Sequence, residues 1–189
     1  MIETTKNIYC LEGNWSNHPN SKQSIKPILD LLNTTYKVKY IYKRCLTKND
    51  FLLHLEKFTY KRYKNYPILY LAFHGRKNKI LIGNEYITLK EISNVLEGKL
   101  AGKFVHFGSC STLGTSERNI SSFISNTKCN FISGYLKDVD YIESTAFELL
   151  FFELFQKFTY NDQLKKLQTK GLFTLRKKFN LTFNFKTQK

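Results

Sequence analysis

The chain is short of acid. Fifteen Asp and Glu stand against 30 Lys and Arg, a formal net charge of +15. It also has no apolar run near the roughly 18 residues a membrane span needs, so no membrane partner is expected. The stretch MIETTKNIYCLEG carries an early acidic residue and too short an apolar segment for a secretion signal, which predicts a cytoplasmic protein. Four cysteines, Cys10, Cys45, Cys110 and Cys129, lack the tight pairwise spacing of a zinc site. They read as free thiols, and neither a metal nor a cofactor is expected. Repeats, low-complexity segments and Pro- or Gly-rich linkers are missing as well, so residues 1–189 read as one domain.

What is present is the material of a core. Hydrophobic residues make up 42% of the chain and aromatics 15%, which places it among globular proteins and excludes disorder. The lysines are scattered apart from the stretch LKKLQTKGLFTLRKK. Charge spread in this way is a footprint and not a site, so nucleic acid is not expected as the main partner.

Strand and helix patterns alternate. NIYCLEG (7–13) reads as a first strand, and SIKPILDLLN (24–33) as a helix capped by Ser24, with Pro27 tolerated in its first turn. YKVKYIYKRC (36–45) alternates like a strand near a sheet edge, and Thr47 caps a helix that sets Phe51, Leu55 and Phe58 on one face. Pro67 opens ILYLAF, a continuous apolar run of the kind a doubly covered parallel strand requires. A hairpin turning at Gly83–Asn84 follows, then a helix with a Thr88/Glu91 capping box. KFVHF and CNFISG are strands flanking the helix SERNISSFISN. DYIESTAFELLFFELFQKF is an apolar helix, and an amphipathic helix is expected at about 161–179. This order predicts an α/β fold, a three-layer α/β/α sandwich with a mostly parallel sheet.

In such sheets, sites form beyond the carboxyl ends of the strands. Two apolar strands stop there at reactive groups, LYLAFHG at His74 and FVHFGSC at Cys110. A thiolate is a good nucleophile, and a neighbouring imidazole can take its proton and later protonate a leaving group. Gly75 allows close backbone approach, and its N–H with that of Cys110 would form an oxyanion hole. His106 lies inside its strand and reads as structural. Cys129 reads as core, and His18 and His54 have no identifiable partner.

The blocks YLAFHG and VHFGSC resemble the signature blocks of the caspase-like clan of cysteine peptidases, which includes metacaspases, separases and CHAT-type proteins. The order His before Cys, with a hairpin and helix between, is similar too. The resemblance implies a caspase-hemoglobinase-like fold, His74 as general acid/base, Cys110 as nucleophile, and the Gly75 and Cys110 amides as oxyanion hole. It further implies a protein or peptide substrate and the role of a regulated effector in bacterial defence or cell death. The chain departs from the clan at Gly108, where many members carry Glu, Gln or Asp. Ser111–Lys128 is one helix and its loop, so activation by cleavage into subunits is not expected. Control is instead expected from a partner protein, a ligand or self-association.

In the clan, loops after the first strand and after the strand following the nucleophile build the substrate pocket. Here they carry Glu12, Asp138, Asp140 and Glu143, which would favour cleavage after Arg or Lys. Against this, Asp138 and Asp140 fit helix capping near Tyr141, and Trp15 and Tyr135 either line the cleft or pack in it. Two other readings stay open: a different acyl transfer or deamidation by the same pair, and a non-catalytic module binding a nucleotide or other anionic signal at the strand ends.

Overall fold

A computed structural model of the protein describes residues 5–16, 20–157 and 183–187. Strand and helix alternate as the apolar patterning predicts, and they assemble as an α/β/α sandwich. The main sheet runs β2 (Tyr40–Arg44), β1 (Ile8–Glu12), β3 (Ile68–Ala72), β7 (Phe104–Gly108), β8 (Phe131–Tyr135) and β9 (Phe183–Thr187). The first five are parallel, and β9 pairs antiparallel with β8. β1, β3, β7 and β8 are buried along their whole length, as continuous apolar runs require, whereas β2 is the part-exposed edge.

Helices α1 (Lys26–Tyr36) and α5 (Tyr141–Lys157) pack Ile28, Leu32, Phe147 and Phe151 against one face. Helices α2 (Lys48–Phe58), α3 (Leu89–Val95) and α4 (Glu117–Thr127) pack Phe51, Ile92 and Phe123 against the other. The capping signals at Thr47 and Thr88 hold. Thr47 accepts from Asp50 N–H at 3.1 Å, and Thr88 with Glu91 forms the full capping box. The helix expected to begin at Ser24 begins at Lys26 and runs on to Tyr36, shortening the following strand. The expected Ser24 cap is not formed: Ile25 is the N-cap, without a side-chain cap bond, and its N–H donates to Glu12 at 2.7 Å.

A small antiparallel sheet stands beyond the carboxyl edge: β4 (His74–Arg76), β5 (Lys79–Ile82) and β6 (Glu85–Thr88). The expected Gly83 turn joins β5 to β6, with Gly83 at φ +57°. The patterning gives no sign of β4 or of β9. The helix expected at 161–179 lies outside the described residues. No helix among the described residues is long and apolar enough to cross a membrane.

Beneath the site a buried carboxylate joins the layers. Glu148 of α5, 3% exposed, accepts from the Tyr70 hydroxyl of β3 and from the Tyr135 hydroxyl of β8 at 3.2 Å. His106 of β7 places Nε2 3.3 Å from it and Nδ1 2.8 Å from Ser133 Oγ. The burial of His106 agrees with its structural reading. Gly108 makes room for this cluster, since a Cβ there would sit 2.6 Å from Glu148 Oε1 and 2.7 Å from the Tyr70 ring.

Gly108→Ala is expected to destabilise the fold by about 1–3 kcal/mol, read as a lower urea midpoint at unchanged slope. Burial raises the Cys45 thiol to about 12 and the Cys129 thiol to about 11, from an unfolded value of 9.0. The unfolded chain therefore binds fewer protons across that window, and stability falls as pH rises from 9 toward 11. Urea midpoints at neutral pH and at about pH 10 check the direction, which a higher midpoint at alkaline pH would contradict.

Candidate active site

The register of the sheet brings the two signature residues together. Ala72 of β3 pairs with Gly108 of β7. His74 and Cys110 each lie two residues beyond that pair, so both chains leave the sheet at the same height. Neighbouring strands are about 4.8 Å apart, which puts the two departing segments side by side. His74 is exposed and Cys110 partly so, and both line one cavity of about 110 Å³.

His74 is oriented by backbone. Its Nε2 lies 2.9 Å from the Trp15 carbonyl oxygen, and its ring meets the Trp15 indole edge to face at 5.4 Å. A carbonyl only accepts, so Nε2 carries the hydrogen and Nδ1 is left as the basic nitrogen. The indole is itself fixed, its Nε1 donating to Glu12 at 2.5 Å.

The segment carrying Cys110 is clamped from two sides. On one, Ser111 N–H donates to Lys137 O and Leu113 N–H to Tyr135 O, both at 3.0 Å. The Cys110 thiol points to Val139 O at 3.5 Å. On the other, Asn78 N–H of the β4–β5 turn donates to Thr112 O at 3.1 Å, and Thr112 Oγ1 donates to Lys79 O at 3.4 Å. Ser111 turns the chain at φ +53°, in the left-handed region. Gly75 is what lets the base and nucleophile segments touch. A Cβ there would lie 2.3 Å from Cys110 O and 2.4 Å from Thr112 Oγ1, so no larger residue fits without separating them.

The expected acidic pocket is not at this cavity. Glu12 is fully buried, and its carboxylate accepts from Trp15 Nε1, Ser24 Oγ, Ile25 N–H and Tyr42 OH at 2.5–2.7 Å. Its assignment to the substrate pocket is therefore corrected: Glu12 braces the loop that holds His74. Asp140 caps α5, accepting from the N–H groups of Ile142 at 2.8 Å and Glu143 at 3.0 Å. Asp138 does not cap; it accepts from Ser111 Oγ at 2.5 Å and steadies the turn after the nucleophile. None of the three is among the described residues lining the cavity, which include Trp15, Tyr135, Val139 and Tyr141. Trp15 and Tyr135 do line the cleft. No group of three or more His, Cys, Asp or Glu that could hold a metal occurs among the described residues. What the sequence does not reveal is the role of the Trp15 carbonyl, because a backbone acceptor has no residue signature.

Across residues 5–186 the chain matches the model of a family of unknown function, DUF6642. The chain belongs to the DUF6642 family. No curated protein matches it.

In this DUF6642 protein the cysteines differ sharply in surroundings. Burial raises the thiols of Cys10, Cys45 and Cys129, and all three side chains are inaccessible. Cys110, by contrast, is partly exposed and lines the cavity beside His74. Iodoacetamide at neutral pH is expected to label Cys110 in the folded protein and the other three only after denaturation, as peptide mass mapping reads. Equal labelling of Cys129 in the folded state would contradict this.

Proposed function

We propose that this protein is a cysteine endopeptidase in which His74 and Cys110 form the catalytic pair. The observation that carries the reading is a single cavity shared by the thiol of Cys110 and an imidazole whose Nε2 is tied to the Trp15 carbonyl. Fixing Nε2 as the donor leaves Nδ1 to act on the nucleophile, as a general base requires. Nδ1 takes the proton of Cys110 Sγ, and the thiolate attacks the carbonyl carbon of the scissile peptide. The oxyanion that forms is held by the backbone N–H groups of Gly75 and Cys110. The imidazolium then protonates the departing amine as the C–N bond breaks, leaving a thioester on Cys110. Water attacks that thioester while Nδ1 takes its proton, the C–S bond breaks, the imidazolium returns that proton to the departing Cys110 sulfur, and the acid product leaves with the enzyme restored.

The cavity lining favours this over an anion-binding module. Among its described residues there is no Lys or Arg, so the basic balance of the chain is not focused there. Resemblance to the caspase-like clan supports the same chemistry. It alone carries the wider proposal of a regulated effector in bacterial defence or cell death.

Casein or proteome-derived peptides, incubated with the wild type and read by mass spectrometry, test the reading. Cleavage is expected to vanish in Cys110→Ala and to fall by about 10²–10⁴-fold in His74→Ala. Gly75→Ala is expected to lose activity while remaining folded, because the displaced segments lie outside the main sheet. Cleavage that persists in Cys110→Ala would defeat the proposal.

A further inference from the structure

We infer that the residue whose carbonyl is attacked carries a small uncharged side chain, of the class of Ala, Ser, Thr or Val, and is neither basic nor acidic. The inference rests on the peptidase reading and narrows its substrate class.

Size comes first. The cavity beside Cys110 holds about 110 Å³. An apolar cavity of roughly 150 Å³ is what a benzene ring fills. Part of the smaller space must also receive the reacting carbonyl, because His74 and Cys110 are themselves part of its wall. A phenylalanine, lysine or arginine side chain cannot be enclosed in what is left.

Charge comes second. Trp15, Tyr135, Val139, Tyr141, Gln23 and Ser144 line the cavity, and no carboxylate, lysine or arginine is among its described residues. Burial raises the phenols of Tyr135 and Tyr141, so both stay neutral through the physiological range. Of the carboxylates around the cavity, Glu12 is engaged by four donors, Glu148 by Tyr70, Tyr135 and His106, Asp138 by the Ser111 hydroxyl and Asp140 by the first amides of α5. A charged side chain entering here would shed water and meet no counter-charge among the described lining residues.

Rigidity comes third, because a soft wall would make the size argument void. The indole of Trp15 is held at Nε1 by Glu12 and braced edge to face by Tyr141 at 5.4 Å. The Tyr135 hydroxyl donates toward Glu148 and toward the Ser144 carbonyl, at 3.2 and 3.3 Å. Widening the cavity means breaking these contacts in a packed layer.

The test uses peptidyl acyloxymethyl ketones that differ only in the residue next to the warhead: Ala, Thr, Val, Phe, Lys, Arg or Asp. Rates of covalent labelling of Cys110 are read by intact mass. Ala, Thr and Val probes are expected to react at least about tenfold faster than the charged probes and Phe. Tyr141→Ala, which removes one wall, is expected to admit the Phe probe and shrink its deficit by about tenfold. Faster labelling by Lys, Arg or Asp probes overturns the inference and leaves the peptidase reading standing. So does an unchanged Phe deficit in Tyr141→Ala. If no probe reacts while iodoacetamide still alkylates Cys110, the peptidase reading falls and the inference falls with it.

Discussion

The fold depends on a carboxylate in a place where carboxylates are costly. Glu148 is withdrawn from water in the layer between α5 and the sheet, and its polar head is accommodated there because hydroxyl and imidazole groups converge on it. Those groups come from β3, β7 and β8, one from each. The contact therefore fixes the height of α5 against three strands, which an apolar side chain able to slide would not do. Gly108 yields the space, so the strand that ends in the nucleophile is also the strand most closely fitted to this anchor.

A second buried carboxylate works in the same layer at the end of β1. Glu12 collects an indole, two hydroxyls and a backbone amide, and thereby shapes the turn through Trp15. The product of that shaping is a carbonyl oxygen held 2.9 Å from His74 Nε2. The two carboxylates thus act on the site at one remove. Glu12 sets the base through Trp15, and Glu148 sets the cavity wall through Tyr135.

Much of this was legible in the sequence, and the reason differs by feature. The buried strands show because a strand covered on both faces must be apolar throughout, as ILYLAF and FVHF are. The helix starts at Thr47 and Thr88 show because capping is local chemistry, complete within four residues. The convergence of His74 and Cys110 is readable because parallel strands deliver their ends to one edge. The tasks of Glu12 and Glu148 are not readable, since each is defined by partners distant in the chain. Glu148 lies 78 residues from Tyr70 and 42 from His106. Glu12 ends β1 at the edge where a pocket would form, and only the crowd of donors around it shows that it faces inward. Strand β4 escapes notice because His-Gly-Arg has no strand pattern; its pairing with Lys79–Leu81 defines it.

The placing of β9 has a consequence in time. It pairs with β8 along Phe131–Tyr135, yet it is made of residues 183–187. On the ribosome the parallel strands emerge in order, and β8 stands as an uncovered edge until that late segment appears. Chains grow at about 5–20 residues per second, so the interval lasts seconds, long compared with strand pairing. Through that interval the edge next to the nucleophile strand offers its unpaired amides and carbonyls to any extended segment nearby. The nascent chain is thus open to wrong pairing one strand away from the element that leads to its cysteine.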